Sequence, residues 1–266
     1  MSNRFLSNYK VNLQSIIIGK LQSFAVLSLN FGQLSIGLGI GYSSVLIPQL
    51  ETDPVIVISV WEAAWVVSLI ALGQIGGAVL GSALSAGLGR KGAVLVSTVP
   101  SIAGWTVTAI SQNVTMLYVA RLLVGLGMGM SGTVHPVYVC ELSSSAFRGP
   151  LASSGVIVLT AGVVTAYILG TVIQWKLCAW LFLGLQVVMA LLVLTVPESP
   201  SWLVNKRLYS RADAALGWLG RDQEEFASEV EQDIQNRNWT IIFPGITVAI
   251  INSKKSYSFW GHFPVD

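Results

Sequence analysis

Charge is the scarcest commodity in this sequence: 11% of its 266 residues are Asp, Glu, Lys or Arg, against roughly a quarter in an ordinary soluble domain. Together with 53% hydrophobic residues and a mean hydropathy of +0.67, that shortage excludes a soluble globular fold. Excess charge of one sign is lacking too. The 15 Lys and Arg against 13 Asp and Glu leave a net +2, and no basic cluster interleaves with aromatics, which sets nucleic acid aside as a partner. Cysteine is limited to Cys140 and Cys178, both inside apolar stretches and without metal-ligand spacing, so neither a disulfide framework nor a zinc site is expected. Ser/His/Asp arrangements, paired catalytic carboxylates, phosphate-cradling glycine loops and His/Cys clusters are also missing. The sequence therefore predicts no enzyme chemistry, no cofactor and no metal.

What is present is length of apolar run. Three charges precede residue 21, nine fall in residues 21–196, and sixteen follow from Glu198 onward. The middle reads as membrane and the two ends as wet. A hydrocarbon core of about 30 Å needs about 20 helical residues, and six stretches satisfy it: Leu21–Ile47, Ala63–Leu88, Ala93–Ile110, Met116–Val139, Leu151–Gln174 and Leu177–Val196. The fold class predicted is an all-α membrane bundle of six helices. Its first span is too long for a signal peptide and reads as retained.

Lys and Arg concentrate on one side of this topology: Arg4, Lys10 and Lys20 in the tail, Arg90 and Lys91 between spans two and three, Arg148 between four and five, and Lys206, Arg207 and Arg211 after span six. The opposite side has Glu51, Asp53, Glu62 and a single cation, Lys176. Both termini are thus expected on the cytoplasmic side of a multi-pass protein. Trp61, Trp65, Trp175 and Trp180 then fall at the outer interface, where indoles anchor helices. Two glycosylation patterns occur. Asn113-Val-Thr115 lies in a very short loop and Asn238-Trp-Thr240 on the cytoplasmic side, so neither is expected to be used.

Small residues recur at helix-facing spacing: Gly37 and Gly41; Gly73, Gly77 and Gly81; Gly125 and Gly129. Such rows let backbones approach closely, whether for plain packing or for helices that slide during transport. Polar side chains inside the spans are Asn30, Gln33, Gln74, Thr133, His135 and Thr160, about half of what a pore or sugar site needs. His135, just before Pro136, reads as hydrogen-bonded at a helix end rather than as a proton relay. Arg121 lies about a turn and a half inside the fourth span, where a charge marks a functional or interhelical pairing site; snorkelling to the near interface is the alternative.

The connections carry a resemblance. Span two ends in Gly89-Arg90-Lys91; span four contains Arg121 and the glycines to Gly129, then Tyr138 and Glu141; Arg148-Gly149-Pro150-Leu151 opens span five; Pro197-Glu198-Ser199-Pro200-Ser201-Trp202-Leu203 follows span six. In this order and spacing the chain, over about residues 25–225, resembles the sugar porter family of the major facilitator superfamily. From Trp202 through Ala212, Ala215, Leu216, Trp218 and Leu219 it most resembles insect facilitated trehalose transporters.

The resemblance implies facilitative transport of a sugar, trehalose or a hexose, by alternating access, in a plasma-membrane protein. It implies a cytoplasmic charge latch of Arg90, Lys91, Glu141, Arg148 and Glu198. It also implies a transport pathway that includes Arg121, with Gln33, Gln74, Ser43 and Thr160 as the pathway polar groups. Proton-coupled relatives place an aspartate after the Gly-Tyr pair of span one; here Gly41-Tyr42 is followed by Ser43, which carries no proton. Other departures are apolar Ser85-Ala86-Gly87-Leu88 where an acid or amide is usual, Ser201 in place of an arginine, and Val156 in place of a sugar-binding glutamine.

Four segments are expected: a cytoplasmic tail over 1–20, the bundle over 21–197, a cytoplasmic helical segment over 198–235 with Ala212, Leu216 and Leu219 on one stripe, and a divergent tail over 236–266. The apolar run Trp239–Ile251 has 13 residues, which at 1.5 Å each is too short to cross a bilayer; an interfacial helix is the alternative. Sugar porters have twelve spans, so the chain corresponds to the N-terminal half of a major facilitator fold. A splice variant, a mistaken gene end and a truncated paralogue all account for the length. Transport then requires a homodimer or a full-length paralogue to complete the pathway in the lipid bilayer. The competing function is a non-transporting truncated paralogue that associates with full-length transporters and modulates them.

Overall fold

The computed structural model describes residues 2–54, 56–144, 147–221 and 226–228, with side chains from Leu21 onward. The apolar run 239–251, the closing segment 252–266, the second glycosylation pattern at Asn238 and most of 222–235 lie outside the described residues. The chain divides into a unit of residues 1–220 and one of residues 221–266. Within the second, the Arg221 guanidinium stands 5.3 Å from the centroid of the Phe226 ring.

Among the described residues every regular element is a helix: α1 Ser2–Glu51, α2 Val60–Ile110, α3 Val114–Leu142, α4 Arg148–Val172, α5 Trp175–Thr195, α6 Pro200–Asn205 and α7 Tyr209–Leu219. The first five are long and apolar enough to cross a membrane. Helix α1 starts at Ser2, so the charged tail expected ahead of the first span is its N-terminal extension.

Helix α2 has 51 residues, which as a straight rod would reach about 76 Å, more than twice the hydrocarbon core. It breaks at Gly89, φ 90° and ψ 173°, a conformation open to glycine and strained for other residues. The limbs on either side return along the same neighbour. A Cβ at Gly73 would lie 2.5 Å from the Leu122 carbonyl oxygen, and one at Gly104 would lie 2.7 Å from the Val124 nitrogen. The limbs are therefore antiparallel to each other, the first running parallel to one stretch of α3 and the second antiparallel to it, and they correspond to spans two and three of the sequence.

Local chemistry sets the ends. Ser59 and Glu62 form a capping box that opens α2. Asn113 accepts from the Met116 amide at 2.9 Å and opens α3, so this amide side chain is engaged as a cap. Ser199 accepts from the Trp202 amide at 3.2 Å, with Pro200 as first residue of α6. Gly220, φ 64°, closes α7 in the left-handed conformation.

Two glycine seams assemble the bundle. Gly73, Gly77 and Gly81 of α2 press on Leu122 to Thr133 of α3, while Gly125 and Gly129 of α3 press back on Ile70 and Gln74; the closest virtual Cβ, at Gly77, is 2.1 Å from the Leu126 oxygen. Gly37 and Gly41 of α1 meet Leu159 and Val163 of α4, answered by Gly162 against Leu34. With no hydrophobic drive between helices in lipid, such close approach supplies packing energy. Helix α5 touches both α1 and α2, and α7 buries Ala212, Ala215, Leu216 and Leu219. Among the described residues the larger buried apolar clusters are one around Tyr42, Trp105, Trp175 and Phe182 and another, toward the Gly89 end, around Leu29, Val94, Tyr138 and Leu142, with a small third cluster of Leu203, Ala212 and Ala215 between α6 and α7. Helix α1 is the most enclosed span, 67% buried over its apolar window, and α4 the least at 11%. Val156, Ile157, Val164 and Ile168 of α4 face outward.

Candidate functional site

Arg121 lies inside the half-bundle, 1% exposed. Its guanidinium carbon stands 4.7 Å from the centroid of the Tyr42 ring, and Tyr42, Trp105 and Phe182 meet one another edge to face at centroid distances of 5.2–5.7 Å. Cation–π attraction to a desolvated ring is worth about 2 kcal/mol, well below the cost of withdrawing a cation from water. The Arg121 Nε, Nη1 and Nη2 have no hydrogen-bond partner among the described residues. Arg121 thus turns inward rather than reaching an interface.

Among the described residues of the first unit, the other buried side-chain atoms without a partner are Asn30 Oδ1 and His135 Nε2. All of these atoms belong to α1 and α3. The second Asn30 group is used, its amide donating to Ser154 Oγ at 2.9 Å. His135 Nδ1 lies 3.0 Å from the Ser131 carbonyl oxygen, a bond within α3 across a helix that continues through Pro136 to Leu142. Its ring fills the space over Gly32, where a Cβ would be 2.3 Å from Nε2.

The remaining residues expected along the pathway are not gathered around Arg121. Gln33, half-buried, faces Gly155 of α4, whose virtual Cβ is 3.5 Å from Gln33 Cγ. Ser43 is half-buried on α1, one residue beyond Tyr42. Gln74 is half-buried on the first limb of α2, its carbonyl against Gly129. Thr160 is exposed on α4 and donates to its own Val156 carbonyl at 3.0 Å. None of these hydrogen-bonds Arg121. Tyr42, which faces Arg121, and Trp105 and Phe182, which pack on the Tyr42 ring, carry no sequence signal as a group, since they lie on three helices and meet only on folding.

The expected latch residues do converge, at the Gly89 end. The Arg90 guanidinium lies bidentate on Glu141, Nε–Oε2 2.9 Å and Nη2–Oε1 2.8 Å, and its Nη1 donates to the Ser85 carbonyl at 3.1 Å. Glu198 Oε1 accepts from the amides of Arg90 (2.9 Å), Lys91 (3.1 Å) and Ser199 (2.8 Å). The first two are opening amides of the second α2 limb, which lack intrahelical acceptors; a carboxylate there satisfies them and complements the helix dipole. The Ser199 hydroxyl donates to Glu141 Oε2, and the Tyr138 hydroxyl to the Pro197 carbonyl. Lys91 Nζ donates to the Leu194 carbonyl at 2.7 Å, and Arg148 Nε to the Cys140 carbonyl at 3.2 Å. These bonds tie the α2 break to α3 and to the α5–α6 connection, all within one half-bundle.

The family profile described as "Sugar (and other) transporter" matches residues 31–241. The mouse protein "Solute carrier family 2, facilitated glucose transporter member 8" is 36% identical over 206 residues, 77% of this chain and 43% of that one. "Facilitated trehalose transporter Tret1" of Drosophila virilis is 29% identical over 212 residues, 79% of this chain and 23% of that one. The major facilitator proton:xylose symporter XylE, solved with 6-bromo-6-deoxy-D-glucose, superposes with a TM-score of 0.69 at 18% identity over 92% of this chain and 64% of that one; this likeness shows the fold. The chain spans less than half the length of the curated relatives. It is a multi-pass membrane protein with the N-terminal half of a major facilitator fold, and it belongs to the sugar transporter family.

Proposed function

We propose that the chain forms one half of a facilitative pathway for a sugar, trehalose or a hexose, working by alternating access in the plasma membrane with both termini cytoplasmic. The pathway is completed across the open face of the bundle by a second copy or a full-length paralogue. Arg121 carries this reading: a buried guanidinium with three unpartnered nitrogens is costly to fold around, and an intramembrane charge kept at that cost is by default functional. Its place between α1 and α3, with orphaned acceptors at Asn30 and His135, puts unmet donors and acceptors along the seam that a polyhydroxyl solute would use. Arg121 acts as a positioning residue that responds to movement of α1 through Tyr42, while Gln33, Gln74, Ser43 and Thr160 supply polar groups along the pathway. Arg90, Lys91, Glu141, Arg148 and Glu198 form the latch whose loosening accompanies the change of access.

Transport is downhill. The partner of Arg121 is the Tyr42 ring, where a carboxylate would be needed to carry a proton opposite it, and the acids Glu51, Asp53, Glu62 and Glu141 lie at helix ends. In proteoliposomes, labelled trehalose or glucose should equilibrate and stop, with the same plateau with and without an imposed pH gradient. Accumulation above the outside concentration when the gradient is applied would overturn the facilitative assignment.

A further inference from the structure

At the end of the bundle opposite Gly89, the α1–α2 and α4–α5 connections meet around Trp175. This residue is 4% exposed and fixed at three points: its amide donates to Gln49 Oε1 at 2.6 Å, its indole N–H to Asp53 Oδ2 at 3.0 Å, and its carbonyl accepts from the Tyr42 hydroxyl at 2.7 Å. Gln49 is fixed in turn, its Nε2 donating to the carbonyls of Gly170 (2.9 Å) and Ile173 (3.1 Å). Asp53 Oδ1 accepts from the Ile56 amide at 3.1 Å. The clasp joins residues more than 120 positions apart and holds its polar side chains in single orientations.

Beside the clasp opens a pocket of about 380 Å³ lined by Thr52, Asp53, Pro54, Gln174, Trp175 and Lys176, a volume typical of small-molecule sites. Its chemistry is mixed and balanced. Asp53 is an acceptor, Lys176 a donor with its Nζ 5.0 Å from the Trp175 ring centroid, and Gln174 presents an amide that is both, since that side chain does not cap α5. The Thr52 hydroxyl donates to the Gln49 carbonyl at 3.1 Å and keeps acceptor lone pairs. The one acid and one ammonium cancel, which disfavours an ion of either sign. Donors and acceptors lie beside the exposed ring of Pro54, with Trp175 buried behind Lys176.

We propose that this pocket is a weak binding site for a neutral polyhydroxyl ligand, a sugar ring whose hydroxyls pair with Asp53, Gln174 and Lys176 while its C–H face lies on Pro54. The inference rests on the sugar pathway proposed above and adds a waiting site at its mouth.

The test is fluorine NMR of the chain in nanodiscs, labelled with 5-fluorotryptophan, with the Trp175 resonance assigned through Trp175→Phe. Titration with trehalose or glucose should shift that resonance saturably. Lys176→Met and Gln174→Ala, which leave the clasp intact, should weaken the response about tenfold each, and the methylated zwitterion betaine should leave it unmoved. A resonance that stays put up to hundreds of millimolar sugar, or that responds equally in both variants, overturns the proposal. Sugar uptake with an unresponsive Trp175 would sink this site and leave the pathway standing; a saturable Trp175 shift without uptake would support the site and remove the pathway.

Discussion

The carboxylate of Glu198 sits on the backbone of Gly89: a Cβ placed there would be 2.3 Å from Oε2, while Oε1 accepts the next two amides of the chain. One glycine thus lets helix α2 break, and the space it leaves lets an acid from the α5–α6 connection cap the helix that resumes.

Gly89→Ala should therefore be strongly destabilising, through both its φ of 90° and the displaced carboxylate. A loss of about 2–3 kcal/mol is expected from the combined strain and broken cap. Glu198→Ala alone should cost less. The double variant should recover part of the sum, because removing the carboxylate removes the clash. Denaturant or thermal unfolding in detergent reads this; strict additivity would show that the two residues do not share a site.

The Arg90–Glu141 pair predicts a different outcome. With each side chain 18% exposed, the bidentate bond is only partly screened, and Glu141→Ala leaves a half-buried guanidinium without its counter-charge. A loss of about 2 kcal/mol, or roughly 4–8 °C in Tm, is expected. If this pair also forms part of a latch, the same variant should raise the rate at which the Gly89 end opens, measured as labelling of a cysteine placed at Ser85. Unchanged labelling with lowered stability would assign the pair to folding alone.

Arg121→Met should separate stability from activity. Replacing an unpartnered buried cation by an apolar side chain of similar length should leave stability unchanged or raise it by about 1–4 kcal/mol, while abolishing sugar flux. Tyr42→Leu, which removes the ring from the guanidinium, should lower both. An Arg121→Met protein that is less stable than the parent would mean that the guanidinium is satisfied in a way the structure does not contain.

The glycine seam predicts steric failure. At Gly77 a methyl group would lie 2.1 Å from the Leu126 oxygen, and backbone cannot move aside as a side chain can. Gly77→Ala should cost about 1–3 kcal/mol and lower surface abundance. At Gly87, where nothing lies within 4 Å of a virtual Cβ, Ala should be neutral. Equal effects at the two positions would contradict the seam.

Much of this was legible before folding, and the reasons are local. The spans show as uninterrupted apolar runs, the break near Gly89 as a glycine followed by two cations, and the seams as glycines four residues apart. The grouping of a latch follows only from the family resemblance, while the charged residues around Gly89 were legible as charges at helix ends on one side. The cap that Glu198 supplies to Arg90 and Lys91 was not, because backbone amides leave no trace in side-chain pattern. The inward turn of Arg121 onto Tyr42 was equally hidden: position within a span fixes depth in the bilayer but not which face a residue presents. The Gln49–Asp53–Trp175 clasp depends on two connections brought together by the α1–α4 seam, so no local pattern announces it. The helical extension of α1 back to Ser2 has no clear sequence signal, because the polar residues of 1–20 break the apolar run that marks the span.

The central claim is that this half-bundle takes part in moving a sugar across the membrane. Its most direct test is uptake of labelled trehalose and glucose by transporter-deficient cells expressing the chain alone and with a full-length relative, with surface abundance measured alongside. The account predicts saturable uptake that rises with surface abundance in at least one of these settings and falls to background with Arg121→Met. Full surface abundance with no uptake above background, alone or with the relative, would contradict it.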